Sequence, residues 1–317
     1  MTADLTYWPV GDVGQSQRPP VGKPTLSLNS ISHKFFKFFN EVKTILNWSV
    51  NFVKSNGIRL HYHHTNGNKP PLLLAHGLTD DSLCWIRAAQ VWEKDYELIM
   101  LDARGHGRSD APQTGYSVHD HAADLVGVIE ALSLDEPILI AQSMSASSAA
   151  VLAGEYPKLV SCLILEDPPW RTGTIETTQE RETRMAKWQQ QTIKNRAKTR
   201  EEIIDFARKW YPTWDEIEYG PWADAKQRVS PHAFEFILTE RSWEEAIPKI
   251  ACPTLLITAN PERGAVLTPE VTQQIIGMNP LIQATRIEGA GHDIRREQFV
   301  AYMEAVQAFL QPVHEKK

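Results

Sequence analysis

The stretch Pro137-Ile138-Leu139-Ile140-Ala141-Gln142-Ser143-Met144-Ser145-Ala146-Ser147-Ser148-Ala149-Ala150 decides how the rest of the chain is read. A short apolar run stops at Ser143, and an Ala- and Ser-rich pattern with helical composition follows. The order strand, sharp turn, helix pushes the serine out at the apex of the turn, with its hydroxyl free to attack a bound carbonyl group. Strand and helix run close together there, so the residues two before and two after the serine must be small. Ala141 and Ser145 occupy those positions. The same letters also fit a plain helix N-terminus capped by Ser143, with no chemistry attached.

Flanking segments favour the chemical reading. Pro71-Leu72-Leu73-Leu74-Ala75-His76-Gly77-Leu78 is an apolar strand ending in His-Gly, a loop whose backbone N–H can turn toward a developing oxyanion. Asp102-Ala103-Arg104-Gly105-His106-Gly107-Arg108-Ser109-Asp110 follows the apolar run 98–101 as a Gly-rich turn. Near the C-terminus, Ile287-Glu288-Gly289-Ala290-Gly291-His292-Asp293 puts a histidine in a Gly-rich loop between a short strand and a helical pattern. Oxyanion loop, serine, acid and histidine, in that order along the chain, follow the Ser…Asp/Glu…His arrangement rather than those of chymotrypsin or subtilisin.

On these four motifs, from about residue 51 to about residue 310, the chain resembles the α/β-hydrolase family, specifically its capped esterase-like and C–C-hydrolase-like members. The family's usual elbow has glycines where this chain has Ala141 and Ser145. The resemblance implies Ser143 as nucleophile, His292 as general base, and the backbone N–H groups of Leu78 and Met144 as the oxyanion hole. In the family the acid most often follows the seventh strand, where Glu262 stands in Ala259-Asn260-Pro261-Glu262. Some relatives draw it from the end of the sixth strand, where Asp167 stands in Leu165-Glu166-Asp167-Pro168-Pro169. Glu262 is therefore the expected acid and Asp167 the alternative. Glu166 and Asp293 are carboxylates in the same neighbourhoods, Asp293 so close to the histidine that it points elsewhere. His106 reads as a loop histidine set by its turn. His292, as the base, is expected to titrate near neutrality. A serine nucleophile argues against the haloalkane-dehalogenase and epoxide-hydrolase branches, whose nucleophile is Asp.

The coarse pattern alternates strands and helices. Strand signals fall at 51–54, 58–63, 72–75, 98–101, 138–141, 162–165, 254–258 and 283–287, with Asn56-Gly57 as a hairpin turn between the first two. The later strands are continuous apolar runs, as expected of parallel strands covered on both faces. Helical patterns fall at 118–132, 144–156, 269–276 and 295–310. This is an α/β class: a doubly wound, mostly parallel eight-stranded sheet, the hydrolase core spanning 51–167 and 251–312. Between them, 168–250 is charged, aromatic and poor in strand signal, and the resemblance implies a helical cap over the active-site mouth. Among its many aromatics are Trp170, Trp188, Trp210, Tyr211, Trp214, Tyr219, Trp222, Phe234, Phe236 and Trp243. Most of them are expected to hold the small cap together, with two or three reaching the substrate.

A chain of 317 residues with a net charge of −6 and interspersed acids and bases carries no electrostatic footprint for nucleic acid. No apolar run approaches membrane-spanning length, and Met1-Thr2-Ala3-Asp4 lacks the features of a secretory signal. Cys84, Cys162 and Cys252 read as small buried apolar residues, so the cytoplasm is the expected compartment. No Gly-rich phosphate loop or metal-ligand cluster occurs, and no cofactor or metal is expected. Residues 1–50 form an extension, poorly ordered at first, then aromatic and basic over 31–48; that segment is expected to pack on its own domain or on a second subunit, or to touch a membrane surface. The expected reaction is hydrolysis of a small carboxylic ester or lactone with an apolar acyl part through an acyl-enzyme. C–C bond hydrolysis of a diketone and a non-catalytic receptor on a hydrolase scaffold are the alternatives.

Overall fold

The computed structural model describes residues 48–171, 177–238 and 243–314. The aromatic-basic segment read at 31–48 lies outside these residues except for Trp48, whose indole N–H donates to Glu93 at 2.6 Å.

Eight strands form one sheet: β1 (Ser49–Ser55), β2 (Ile58–His64), β3 (Pro71–Ala75), β4 (Glu97–Leu101), β5 (Ile138–Gln142), β6 (Cys162–Glu166), β7 (Thr254–Thr258) and β8 (Ile282–Arg286). Their spatial order is β1-β2-β4-β3-β5-β6-β7-β8. β1–β2 and β2–β4 pair antiparallel, and every pairing from β4 through β8 is parallel. The hairpin falls at Asn56-Gly57 as its turn chemistry requires, both residues having positive φ.

The alternation of side chains along each strand divides the core in two. Leu73, Leu139, Leu163 and Leu256 point to the face covered by α2 (Val118–Ala131) and α3 (Met144–Glu155). Leu72, Leu74, Ile138, Ile140, Ile164 and Ile257 point to the other face, against α1 (Ile86–Trp92) and Tyr302 of α10 (Phe299–His314). Each of these side chains is essentially without solvent contact, and burying one contributes roughly 1.5–3 kcal/mol. The last helical pattern is not continuous: α9 (Ile294–Glu297) ends at Gln298, and α10 starts at Phe299. Gln298 carries φ −133° and ψ 57°, and its side chain turns back to the Gly289 carbonyl at 3.3 Å.

Between β6 and β7 lie α4 (Thr178–Arg196), α5 (Arg200–Trp210), α6 (Glu216–Arg228) and α7 (Trp243–Ala246). α4 and α5 each begin with a capping box, Thr177 with Glu180 and Thr199 with Glu202. α5, α6 and the loop between them pack a separate small core of Ile203, Ala207, Tyr211, Trp214, Tyr219 and Trp222. Among the described residues no helix is long and apolar enough to cross a membrane. The three cysteines are buried and free. α8 (Pro269–Met278) completes the succession.

Candidate active site

Ser143 leaves β5 with φ 50° and ψ −113°, and α3 starts at the next residue. A non-glycine residue in that region is strained, and the strain is sustained because the surroundings leave no alternative. The Ser143 N–H donates to the Glu166 carbonyl at 2.8 Å on the neighbouring strand. Gly77 sits against the turn: a Cβ there would come within 2.6 Å of Gln142 Oε1 and 3.2 Å of Ser143 Cβ. Ala141 and Ser145, at the two small positions, are buried. Ser145 does more than fit, since its hydroxyl donates to the His76 carbonyl at 2.5 Å and pins the first turn of α3 to the loop after β3.

His292 stands over the serine, with Nε2 3.0 Å from Ser143 Oγ. Its Nδ1 lies 2.6 Å from Oδ2 of Asp167. The carboxylate at the histidine is thus Asp167, at the end of β6, and not Glu262. Asp167 is fully buried and takes φ 39°. Its two oxygens also accept backbone N–H groups from Val266 at 2.8 Å and Leu267 at 2.9 Å. Those donors belong to the loop after β7, so the segment expected to supply the acid supplies amides to it instead. Glu262 fails for a geometric reason. The chain passes Asn260 into a short 3₁₀ turn, Pro261–Arg263, which carries the glutamate outward into solvent. Its carboxylate accepts from Asn260 Nδ2 at 2.5 Å and lies 3.8 Å from Arg286. Glu166 is buried and paired with Arg295 at 2.9 Å, while Asp293 pairs with Arg296 at 3.2 Å.

Burial disfavours charging the His292 ring, but the hydrogen bond and charge of Asp167, aided by Asp293 and Glu166, overcome it and lift the imidazole to about 9. That is well above the neutrality expected from its residue type.

The loop after β3 runs past the serine. Leu78 and Met144 both line the cavity beside Ser143, and among the described residues neither backbone N–H has a hydrogen-bond partner. Met144 opens α3, so the helix dipole adds to its N–H. Next in the loop is Thr79, a β-branched residue at φ 73°. Its N–H donates to His106 Nε2 at 3.3 Å, and Lys226 of α6 donates to its carbonyl at 2.8 Å and its hydroxyl at 2.7 Å. His106 Nδ1 faces the Arg104 carbonyl at 2.8 Å, so Nδ1 carries the proton and Nε2 accepts. Burial, with His76 adding to it, drives His106 down to about 3, and the ring is a neutral brace rather than a base. His76 does the same one strand over, bridging the Gly77 carbonyl and the Ala103 N–H. Asp80 anchors the far side. Burial opposes its charge, yet Arg296 at 2.9 Å and Lys226 at 3.5 Å hold its carboxyl well below the usual range. Lys226 had no sequence signal, being one basic residue in a charged helix.

Above the serine is a cavity of about 520 Å³ bounded below by the loops and above by the helices between β6 and β7. Of the ten aromatics named from that stretch, all but Trp210, Trp214 and Tyr219 line it, well beyond the two or three expected. The helical layer is thin, so Tyr211 and Trp222 serve its core with one edge and the cavity with another.

A family model for the alpha/beta hydrolase fold matches residues 70–294. N-formylmaleamate deformylase of Pseudomonas putida is 27% identical over 263 residues, covering 81% of this chain and 95% of the relative. 2-(Acetamidomethylene)succinate hydrolase of Mesorhizobium japonicum is 35% identical over 101 residues, which spans 32% of this chain and only 36% of the relative. Among solved structures, an N-formylmaleamic acid deformylase variant from Pseudomonas putida S16 superposes with a TM-score of 0.64 at 25% identity, covering 81% of this chain and all of that one. E-2-(acetamidomethylene)succinate hydrolase reaches a TM-score of 0.68 over 83% of this chain and 99% of that one, its 21% identity showing the fold alone. The chain is a hydrolase and belongs to the alpha/beta hydrolase fold family.

Proposed function

We propose that the protein is a serine hydrolase that cleaves a small carboxylic ester or lactone through an acyl-enzyme, with Ser143, His292 and Asp167 as its triad. One observation carries this reading. Ser143 Oγ, His292 and Asp167 are joined by contacts of 3.0 and 2.6 Å at the floor of a cavity that also exposes two unused backbone N–H groups. Ser143 Oγ attacks the substrate carbonyl carbon as its proton passes to His292 Nε2. The oxyanion accepts from Leu78 and Met144, each such donor being worth about 3 kcal/mol of barrier. His292 then gives the proton to the leaving oxygen, which departs as an alcohol. A water molecule, deprotonated by the same nitrogen, attacks the acyl-Ser143 carbonyl and releases the acid. Asp167 holds Nδ1–H throughout. The helices between β6 and β7 act as the cap, and the buried free thiols fit the cytoplasm.

A second leaving group is favoured by one finding: a relative aligned over 81% of this chain is named a deformylase of an N-formyl compound, so the bond it breaks is to nitrogen. The site accommodates this with the same triad, His292 protonating nitrogen in place of oxygen. The test is labelling by a fluorophosphonate probe together with turnover of a p-nitrophenyl ester and the matching anilide. Wild type should label at Ser143, and Ser143→Ala and His292→Ala should each lose on the order of a millionfold in kcat. Retention of labelling in Ser143→Ala with loss in Ser145→Ala would displace the nucleophile. Turnover of the anilide alone would select the second leaving group.

A further inference from the structure

The cavity wall opposite the triad is built unlike its sides. Helix α4 turns one stripe toward the cavity, and the residues on it are Arg181, Arg184, Trp188, Gln191, Thr192 and Asn195. The spacing of three and four residues makes this a single helix face. A helix that merely closed an apolar pocket would present Leu, Ile or Ala along such a stripe. This one presents donors, two of them guanidinium groups one turn apart, and Arg171 lines the cavity just before the helix.

The charged groups that line the cavity divide between its floor and its helical side. On the floor, the lining carboxylates Asp80 and Asp293 are both engaged by Arg296, with Lys226 alongside. On the helical side Arg171, Arg181 and Arg184 line the cavity with the exposed Glu244, and Arg171 and Arg184 each keep a further partner. Arg181 reaches the Leu238 carbonyl through Nη1 at 3.3 Å, while its Nε is buried without a hydrogen-bond partner among the described residues. A buried guanidinium N–H is expensive to leave unmade, and a planar oxyanion is the group that a guanidinium's geometry fits.

We propose that Arg181 and Arg184, with Arg171 beside them, bind a carboxylate of the substrate, so that the acyl compound cleaved at Ser143 carries a free carboxylate at the end remote from the scissile bond. This rests on the hydrolytic reading above and narrows it. The aromatic sides of the cavity hold the carbon skeleton, the arginines fix one end, and the triad meets the carbonyl at the other. Orientation by a charged group suits a cavity of this size, because apolar walls alone do not distinguish the two ends of a short chain.

The experiment compares two esters of equal shape and different charge, p-nitrophenyl hydrogen glutarate and p-nitrophenyl pentanoate, on the full chain. Wild type should prefer the anionic ester in kcat/KM by roughly 10- to 100-fold, the range of a charge-assisted pair. In Arg181→Gln/Arg184→Gln the preference should fall to near unity, mainly through KM, and Arg181→Lys should retain part of it. Arg59→Gln, at an exposed ion pair on β2, should keep the full preference and so excludes general charge steering. Equal rates for the two esters in wild type, or a preference that survives the double variant, overturns the proposal. Should wild type turn over neither ester, ester hydrolysis fails by itself, and titration with glutarate decides the carboxylate question through the cavity tryptophans' fluorescence. Saturable quenching by glutarate in wild type, weakened at least tenfold in Arg181→Gln, upholds the site, and no saturable binding removes it.

Discussion

The loops after β6 and β7 leave neighbouring strands at the same edge of the sheet, and each carries a carboxylate a few residues beyond its strand. They end differently. Asp167 is one residue past β6, before the chain has left the sheet, and is shut in with two backbone N–H groups and an imidazole. Glu262 is four residues past β7, after the chain has turned outward, and faces solvent. A carboxylate that must stay charged while buried beside a histidine needs donors built around it, and those donors are backbone groups that no residue type announces. The two loops have divided the task, one giving the charge and the other the amides that stabilise it.

The sharpest way to break this comparison is a pair of amide variants. Asp167→Asn should lower kcat by about 10⁴-fold, because the amide no longer accepts from Nδ1–H and the imidazole is held in the wrong tautomer. Glu262→Gln should stay within about twofold of wild type, since it exchanges only solvent-exposed contacts. Steady-state kinetics on a p-nitrophenyl ester, after checking both folds by circular dichroism, reads the difference. The reverse ranking would return the acid to the β7 loop.

The pH dependence sharpens the same point from the histidine's side. His292 must be neutral to take the serine proton, and Asp167 holds it protonated up to about 9. Activity should therefore climb with pH and level off only above that value, with kcat/KM falling tenfold per unit below it. In Asp167→Asn the midpoint of the residual activity should move down toward the ordinary 6.5. Stability carries the same signature. A pKa raised on folding contributes stability that is complete below 6.5 and lost as pH rises through about 9, so thermal scans between pH 6 and 10 should show a steeper decline in wild type than in Asp167→Asn. A profile flat from pH 6 to 10 with chemistry rate-limiting would remove His292 as the base.

What the sequence made legible follows a physical division. The sheet strands are apolar runs whose alternation fills two faces, and their order with the intervening helices leaves little topological choice; β7, at Thr254–Thr258, falls where its pattern places it. The positions of Ser143 at a sharp turn and of His292 in a loop beside it were legible because an elbow and a Gly-rich loop are backbone devices with a local composition. Asp167 was visible only as one of two candidates, since the choice depends on how a loop turns after its strand. Least legible were the helices between β6 and β7. Their charge reads as solvated surface, yet Arg181, Arg184 and Lys226 line the cavity, because these helices cover a cavity as well as packing a small core of their own.

Lys226 tests whether those helices also serve the catalytic loop. Its ammonium, buried and made easier to deprotonate foremost by that burial, is retained against Asp80 and the Thr79 oxygens. Removing it in Lys226→Met should loosen Thr79 from its left-handed conformation and let the adjacent Leu78 N–H drift. Full loss of an oxyanion donor costs about 10²- to 10³-fold. His106 and Arg296 still hold the loop on its other sides, so a fall of about tenfold in kcat with KM nearly unchanged is expected. A change confined to KM would make Lys226 a substrate contact and nothing more.

The smallest effect is expected at the elbow's departure from its usual composition. Ser145 stands where glycine is customary, and its hydroxyl bonds the His76 carbonyl at 2.5 Å inside the protein. Glycine there would leave that carbonyl unpaired, at about 1 kcal/mol, and add about 0.5–1 kcal/mol for a freer backbone in the first turn of α3. Ser145→Gly should therefore lower Tm by a few degrees. Its kcat should stay within about threefold, because Gly77 and the strained Ser143 backbone still define the turn. Differential scanning calorimetry and ester kinetics on one preparation decide the matter. A large loss of kcat at unchanged Tm would mean that Ser145 takes part in the chemistry, and the division between a loop that holds and a serine that acts would have to be redrawn.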